Sequence, residues 1–498
     1  MAAAAGVALA LALPGAGIAP LVLAFPGLLL EAVRRAPSPR AAAAAACAGG
    51  VVHWCLATAW VVPVMRRYGG LPLAAAAGCL LGMAALLAAV WAVAGWLVRR
   101  VGPGAGPAVL AAWWVLGEAL REGPLYRFPW NPVAAVLADH PRLLGSLPVW
   151  GTSGLGWALV AAGGGAWGLL RRGTRRAGAA TLAAAAALTA AATALAPPPV
   201  CGPPVRAALV QPETSMETSW TPGGARALLE RVEAATRRAA AGGAELVLWP
   251  ESAVPGSLER DPSLDAWVAH LARETGVTVV LESIGWNREG RPTNAAFVVT
   301  PEGRRPERYD KVRLVPFGEY VPWWARWGFA EGLVREVGSF APGRDARPLP
   351  TPAGPAGIAI CYEIAFPGHV ARTVRGGAAF LVTLTNDGWY GRSWAPRQHF
   401  AQAVLRAVET RRWVLRAALT GISGAVAPDG RVAARLGTGA TGVLLVTAAR
   451  CTGETPRVRF GDWWRWAALA ILAGAFLAPG RRGRGRVSGA AGHLDPEP

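Results

Sequence analysis

The chain has 498 residues, of which 53% are hydrophobic, and its mean hydropathy of +0.31 is positive. It is too long for one ordinary domain and too apolar for a purely soluble protein, so a membrane protein is expected. The formal net charge of +19 could indicate a nucleic-acid binder. The arginines, however, lie between apolar stretches and are not gathered on one basic segment with interleaved aromatic residues. This distribution excludes a nucleic-acid-binding protein.

Apolar stretches that approach the thickness of a bilayer recur along the chain. They predict about eight membrane-spanning helices, seven before a long central segment and one after it. The stretches lie near residues 3–13, 17–32, 42–64, 71–98, 107–120, 147–170, 177–196 and 463–479. The first could be a signal-peptide core, but it lacks a basic n-region and leads directly into another apolar stretch, so it is interpreted as a span.

Arginines in the short loops predict the orientation of these helices. With a cytoplasmic N-terminus, the inside would hold Arg34, Arg35, Arg40, Arg99, Arg100, Arg171, Arg172, Arg175, Arg176, Arg481, Arg482, Arg484 and Arg486, and the outside only Arg66, Arg67, Arg121, Arg127 and Arg142. The chain is therefore divided into a membrane domain of about seven helices at 1–198, an extracytoplasmic domain at 200–455, a C-terminal transmembrane helix at 460–480 and a cytoplasmic tail at 481–498.

The cysteines show no metal-binding spacing, so no zinc site is expected. Cys47, Cys55 and Cys79 lie within predicted spans, Cys361 lies inside the central segment, and Cys201 and Cys451 lie at its two ends. For the last pair two interpretations stay open. Both residues would leave the membrane on the oxidising side and could form a disulfide, or they are simply small residues close to the membrane.

From about residue 205 the pattern changes to short apolar runs that alternate with helical segments. Helices are predicted over 222–241, 262–275 and 395–410. Strands are predicted at "RAALVQ", "ELVLWPE", "VTVVLESIGW", "NAAFVVT", "GIAICYEI", "AFLVTLTND", "WVLRAALTG" and "TGVLLVTA". Nearly continuous apolar strands with helices between them are typical of a layered α/β fold whose sheets are covered.

Lys311, in the stretch "PERYDKVRLVPFGEYVP", is the only lysine among the 50 basic residues. The dominance of Ala, Gly, Pro and Arg suggests a coding bias under which a surface lysine drifts to arginine. Chance alone would explain why a single lysine remains in the chain. A site that needs a compact ammonium, where a planar guanidinium fails, explains it better.

Two predicted strands end on residues whose side chains could take part in catalysis. "LVLWPES" ends on Glu251 and "GIAICYEI" ends on Cys361, and ligands bind at the carboxyl ends of strands in open α/β sheets. Cys361 alone could be a buried small hydrophobe, or a thiolate favoured by a following helix N-terminus. Together with Glu251 as a base and Lys311 as a cation, it forms the set that attack of a thiol on an acyl carbon needs.

The ordered set "LWPES", "YDKVRLVPFGEYVP", "AICYEIAFP" and "LTNDGWYG" resembles the carbon–nitrogen hydrolase (nitrilase) superfamily. Together with the predicted spans, the whole chain is similar to the apolipoprotein N-acyltransferases, a membrane-bound family. The resemblance implies a multi-pass helical membrane domain and a nitrilase-like αββα sandwich. It also implies a monomer without metal or organic cofactor, in the bacterial inner (plasma) membrane, with the catalytic domain on the periplasmic side.

The resemblance also implies roles for residues. Cys361 would take the sn-1 acyl chain of a membrane phospholipid as a thioester and pass it to the N-terminal amine of the S-diacylglyceryl cysteine of an apolipoprotein. Glu251 would be the general base, and Lys311 would stabilise the tetrahedral intermediate. Glu319 would orient Lys311 or the incoming amine, although its carboxylate could also be merely solvated.

Weaker expectations follow for other residues. Tyr362 and Glu363 would support the nucleophile, and Tyr362 would lend its main-chain N–H to the oxyanion. Trp220 and Trp389 would be substrate-binding aromatics of mobile loops, or simply packing residues. Trp323, Trp324, Trp327 and Phe329 of "VPWWARWGF" would form an amphipathic arm that dips into the outer leaflet, or ordinary core.

Leu419 departs from the family pattern, because relatives usually carry a polar residue where this chain reads "ALTGI". Two other functions stay open at this point. A membrane-anchored nitrilase-type amidase would hydrolyse a small C–N bond with the same three residues. A transporter or scaffold would call for ionisable residues inside the spans, where mainly Glu118 is found.

Overall fold

A computed structural model describes residues 1–219, 221–322 and 339–477. The helices are α1 (Ala2–Ala12), α2 (Leu21–Arg35), α3 (Pro39–Ala57), α4 (Val61–Arg67), α5 (Leu73–Val101), α6 (Gly106–Glu122), α7 (Leu147–Leu169), α8 (Arg175–Ala194), α9 (Met216–Ser219), α10 (Pro222–Ala241), α11 (Pro262–Thr275), α12 (Pro367–Arg375), α13 (Ala395–Thr410), α14 (Pro456–Phe460) and α15 (Trp464–Leu477). The strands are β1 (Val200–Gln211), β2 (Leu246–Leu248), β3 (Thr278–Trp286), β4 (Pro292–Val299), β5 (Arg308–Asp310), β6 (Ala356–Ile360), β7 (Phe380–Thr385), β8 (Val414–Ala418), β9 (Ser423–Val426), β10 (Val432–Leu436) and β11 (Gly442–Thr452).

Every predicted apolar stretch contains a helix, but not every helix could cross a bilayer alone. Among the described residues, three helices are long and apolar enough to do so by length and composition, namely α3, α5 and α8. Helices α1 and α15 are apolar but shorter, and α2 and α6 have only 15 and 17 residues. Because a span needs about 20 residues, length and composition support fewer than the eight expected spans.

The N-terminal helices pack closely through small residues. A Cβ on Gly6 of α1 would lie 2.1 Å from the carbonyl oxygen of Gly49 in α3, and a Cβ on Gly95 of α5 would lie 2.5 Å from that of Ala42. Such contacts allow backbones to approach where apolar burial alone gives little driving force, as between helices in lipid. The glycine and alanine content of this region therefore serves helix packing.

Two sheets face each other in the central segment. Within the described ranges, one sheet has the strand order β11-β1-β2-β3-β4-β5 and the other has β10-β9-β8-β7-β6. Apolar side chains from both fill the space between them, including Leu209 and Leu248 from the first sheet and Ile358 and Val382 from the second. The arrangement agrees with the predicted layered α/β fold.

Helices cover the outer face of each sheet. Helices α10 and α11 pack on the first sheet. Helices α12 and α13 pack on the second, and the same apolar cluster continues into the N-terminal helices. The bounds of α10, α11 and α13 coincide with the predicted segments, since α10 and α11 begin at a capping Thr221 or Asp261 followed by proline. The helical part thus rests on the second sheet through α12 and α13.

The first and last strands of the central segment are neighbours. Strand β1 pairs antiparallel with β11, with Val200 opposite Thr452 and Gln211 opposite Gly442. Cys201 and Cys451 face each other in this ladder and form a disulfide, which decides between the two interpretations left open. The chain therefore enters and leaves the sheets at adjacent points.

Candidate active site

Three of the predicted site residues directly follow strands. Glu251 lies in the turn after β2, Lys311 follows β5, and Cys361 is the first residue after β6. The first two come from one sheet and the third from the other, and they meet at one edge of the sandwich. The loop after β5 returns Glu319 to the same place.

Lys311 is held between two carboxylates. Its ammonium lies 2.8 Å from Oε1 of Glu319 and 3.3 Å from Oε1 of Glu251. The side chain is only 1% exposed. Lys311 is thus fully buried at the edge of the sandwich that also holds Glu251 and Cys361. This position argues against the chance retention of a lysine on a solvated surface.

The charge state of Lys311 follows from these neighbours. Burial works against the ammonium, but the charges of Glu251, Glu319 and Cys361 outweigh it and raise the pKa of Lys311 well above its ordinary value. Lys311 therefore keeps its proton. It is a fixed cation between the two carboxylates.

Glu251 is oriented through both carboxylate oxygens. Besides Lys311, its Oε1 accepts a hydrogen bond of 3.0 Å from the side-chain amide of Asn294, and its Oε2 accepts one of 3.0 Å from the main-chain N–H of Asn386. The same amide of Asn294 donates to Glu319 at 3.1 Å. Asn294 thus aligns both carboxylates. Sequence reasoning missed it, although it begins the predicted strand "NAAFVVT".

Cys361 has a left-handed backbone conformation, with φ of 52°. An L-residue other than glycine pays a conformational cost there, so the surrounding structure must impose it. Nε2 of His399 donates to the carbonyl oxygen of Cys361 at 3.0 Å, and Nδ1 of His399 lies 2.8 Å from Asp387. Arg416 donates to the other oxygen of Asp387 at 2.7 Å.

This network is buried and was not predicted, although Asp387 lies in the quoted motif "LTNDGWYG". The available signal was polarity, since Arg416 interrupts the otherwise apolar strand β8, whereas His399 lies among other polar residues of α13 and does not stand out. The network of His399, Asp387 and Arg416 fixes the main chain of Cys361. The thiol interacts instead with the charges of Glu251 and Lys311.

The thiol of Cys361 is protonated at rest. Burial raises its pKa, and the charge of Glu251 raises it further, while Lys311 and a hydrogen bond with Thr385 act in the opposite direction. The expectation that a helix N-terminus favours the thiolate is therefore wrong for this state, because Cys361 is buried and is followed by a short 3-10 turn, with α12 beginning only at Pro367. Attack requires removal of the proton by a neighbouring base.

Glu363 joins the loop of Lys311 to the turn of Cys361. One oxygen of its carboxylate accepts the main-chain N–H groups of Val312 at 2.7 Å and Arg313 at 2.9 Å, and the other accepts that of Ile360 at 2.9 Å. The hydroxyl of Tyr309 donates to the same carboxylate. Glu363 thus fixes the segments on which Lys311 and Cys361 stand, while its predicted support of the reaction stays a prediction.

Tyr362 lies between the site and the helical part. Its hydroxyl donates to the carbonyl oxygen of Arg127 at 2.7 Å, and its ring stacks near Trp130. The indole of Trp130 in turn donates to Gln398 at 2.8 Å, and Gln398 donates to the carbonyl oxygen of Ala57 at the end of α3. The N-terminal helices therefore pack directly behind Tyr362, the residue that follows Cys361.

The predicted aromatic residues are only partly described. Trp389 is half-buried, and its ring packs edge-to-face on Tyr68 with centroids 4.7 Å apart, a contact that suits packing; its substrate-binding role stays a prediction. Trp220, and the arm with Trp323 and Trp324, lie outside the described residues.

Leu419 stands where the resemblance predicted a polar residue, and its environment accommodates an apolar side chain. It is fully buried in the apolar cluster under α10 and α11. Its main chain bonds to Thr385 and Glu213. In the parts of the chain that the structure describes, no group of three or more His, Cys, Asp or Glu side chains is arranged to hold a metal ion.

Sequence comparison gives two family matches. Residues 206–456 match the carbon-nitrogen hydrolase family, and residues 5–165 match the N-terminal domain of apolipoprotein N-acyltransferase. The apolipoprotein N-acyltransferase of Geobacter metallireducens is 32% identical over 489 residues, covering 95% of this chain and 93% of the relative. That of Methylococcus capsulatus is 32% identical over 477 residues, covering 93% and 92%.

Comparison with solved structures finds amidases. The amidase from Nesterenkonia sp. covers 55% of this chain and 98% of its own, with 21% sequence identity and a TM-score of 0.41.

Proposed function

Because the chain belongs to the apolipoprotein N-acyltransferase family, we propose that Glu251, Lys311 and Cys361 are the catalytic residues of its acyl transfer. The observation that carries this proposal is the buried Lys311 ammonium, held 2.8 Å from Glu319 and 3.3 Å from Glu251 and close enough to Cys361 for their charges to interact. Such a group suits a developing oxyanion in a water-poor site.

The first half-reaction forms a thioester. Glu251 takes the thiol proton of Cys361 as the sulfur attacks the sn-1 ester carbonyl of a membrane phospholipid. Lys311, and the main-chain N–H of Tyr362, stabilise the negative charge on the carbonyl oxygen. When the C–O bond breaks, the proton on Glu251 passes to the leaving glycerol oxygen, and lysophospholipid departs.

The second half-reaction consumes the thioester. The N-terminal amine of an S-diacylglyceryl cysteine attacks the carbonyl carbon, and Glu251 takes one proton from the nitrogen. The C–S bond then breaks, the amide forms, and Cys361 regains its proton. Glu319 and Asn294 keep Lys311 and Glu251 aligned in both halves. Water must stay out, or the thioester would be hydrolysed.

Access to lipid requires a membrane location. We infer that the apolar helices form about eight spans in the bacterial inner membrane, with the strand-rich segment on the periplasmic side. The arginine distribution supports this orientation, as does the disulfide between Cys201 and Cys451, which persists in an oxidising compartment. Phospholipid is the donor, a diacylglyceryl apolipoprotein is the acceptor, and the enzyme acts as a monomer without cofactor.

Mass spectrometry of the purified protein after incubation with a defined phospholipid tests the proposal. We expect one hydroxylamine-sensitive acyl adduct on the peptide that contains Cys361, absent from Cys361→Ala. Addition of a diacylglyceryl-cysteine peptide should remove the adduct as the peptide gains the acyl chain. Folded protein that forms no adduct with any phospholipid, but hydrolyses small amides, would replace this proposal by the amidase.

A further inference from the structure

Glu282 is a buried carboxyl group that none of the roles above uses. It lies on β3, next to the strand that carries Glu251, and is 6% exposed. Its Oε2 accepts the main-chain N–H of Ser252 at 2.7 Å. Ser252 follows Glu251 directly and has a left-handed φ of 63°. The carboxyl of Glu282 therefore holds the strained turn that presents the general base.

In the part of the chain that the structure describes, this carboxyl group has no ion-pair partner of its own. Among the described residues, no cation comes within ion-pair distance of Glu282, because the ammonium of Lys311 pairs with Glu251 and Glu319 instead. Strand β4 places Ala296 directly opposite. The charged groups that face Glu282 from neighbouring elements are thus Glu251 from the turn after β2, and Lys311 and Glu319 from the loop after β5.

The protonation state follows from this environment. Burial, and then the charge of Glu251, raise the pKa of Glu282 to about 8. Below this value Glu282 is a neutral acid that accepts from Ser252. Above it, Glu282 adds a further negative charge beside Glu251, which already shares Lys311 with Glu319. Such a charge raises the barrier, since like charges in a site of low dielectric repel strongly.

We propose that Glu282 is a positioning residue of the general base, which in its protonated form fixes the Glu251 turn through Ser252 and on losing its proton stops thioester formation. This inference rests on the proposed function, because it concerns the first half-reaction at Cys361. It gives the enzyme an alkaline limit that is set by a group outside the Glu-Lys-Cys set.

The test measures the rate of thioester formation from phospholipid against pH, without an acceptor, so that the amine does not titrate in the assay. The wild-type rate should fall about tenfold between about pH 7 and about pH 9, as most of Glu282 loses its proton. Glu282→Gln keeps an acceptor oxygen for Ser252 but cannot ionise. The rate of this variant at about pH 9, divided by its rate at about pH 7, should be at least about threefold larger than the same ratio for the wild type.

Two further variants separate charge from structure. Glu282→Ala removes the acceptor and should be slower at all pH values. Glu289→Gln, an exposed carboxyl of the β3–β4 hairpin, should keep the wild-type profile. A Glu282→Gln profile that superimposes on that of the wild type overturns the inference, even when adducts form normally. The absence of any adduct in wild-type protein at every pH overturns the proposed function instead.

Discussion

At the scale of single residues, the site is organised around one ammonium. Lys311 is enclosed by Glu251 and Glu319 and keeps its proton. Burial, and then the charge of Glu251, raise the pKa of Cys361 and keep its thiol protonated at rest, although Lys311 acts in the opposite direction. An idle thiolate would be open to oxidation, and this arrangement limits that exposure.

Replacement of Lys311 by arginine tests whether the compact ammonium matters. Lys311→Arg preserves the charge, but the planar guanidinium cannot occupy the same enclosed position between two carboxylates. We expect the rate of thioester formation to fall at least about 100-fold, with the unfolding temperature close to that of the wild type. Arg304→Lys, an exposed exchange in the same hairpin, is the control. Normal turnover by Lys311→Arg would refute the argument from rarity.

The residues that the sequence predicted here share a property. Glu251 and Cys361 stand at the ends of apolar runs, where a chemically reactive residue is conspicuous, and Lys311 is conspicuous as the only lysine. Asn294 and Glu282 lie inside strands that read as apolar, so nothing in the local pattern distinguishes them from tolerated polar residues. Their partners lie 25 to 43 residues away in sequence and become visible only when the strands of the first sheet are assembled.

At the scale of elements, the site depends on two loops that one carboxylate ties together. Glu363 accepts from the main chain on both sides of the site, at Val312 and Arg313 after β5 and at Ile360 at the end of β6. The loop after β5 has little regular structure of its own. Its shape is therefore set by Glu363 and not by a ladder of strand hydrogen bonds.

Removal of this charge should affect both stability and catalysis. Glu363→Gln turns one acceptor oxygen into a donor that faces main-chain N–H groups, which leaves buried donors unsatisfied. We expect a loss of roughly 2–4 kcal/mol of unfolding free energy and a large fall in thioester formation. Thermal melts in detergent and the adduct assay measure these effects. Glu307→Gln, an exposed neighbour before β5, should change neither; an equal effect of both variants would contradict the positioning role.

Sequence predicts some elements better than others for physical reasons. Helices α10 and α11 carry capping residues, a proline at the first position and an apolar face, so the local sequence determines where they begin and end. Strands β9 and β10 are short, and β10 is largely exposed; they are stabilised by pairing, which local sequence does not encode. The 3-10 turn after β6 contains Glu363 and receives a hydrogen bond from His399 at the carbonyl oxygen of Cys361, a contact that spans 38 residues and that local sequence does not encode.

At the scale of the whole molecule, helices and sheets are not independent. One apolar cluster runs from the N-terminal helices into α12 and α13. Trp130 and the main chain at Arg127 support Tyr362, next to the nucleophile. The lengths of the apolar stretches in the sequence predicted where the helices lie. They did not show that short helices such as α1 and α15 are stabilised by packing against their neighbours.

The disulfide tests both the fold and the proposed compartment. In protein purified without reductant, Cys201 and Cys451 should resist maleimide labelling until reduced. The double variant Cys201→Ser, Cys451→Ser should lose about 2–4 kcal/mol of stability, measured by thermal unfolding. Cys79→Ser, in α5, is the control and should have a much smaller effect. Two thiols that label freely in the native protein would contradict the oxidising location.

The pairing of β1 with β11 also has a mechanical consequence. The chain rises from α8 into β1 and returns through β11 toward α14 and α15, so both attachments to the helical part leave from one ladder closed by a covalent link. Tension that pulls these two covalent attachments apart would therefore act first on this ladder and its disulfide, before it reaches the strands that lead to Glu251 and Cys361.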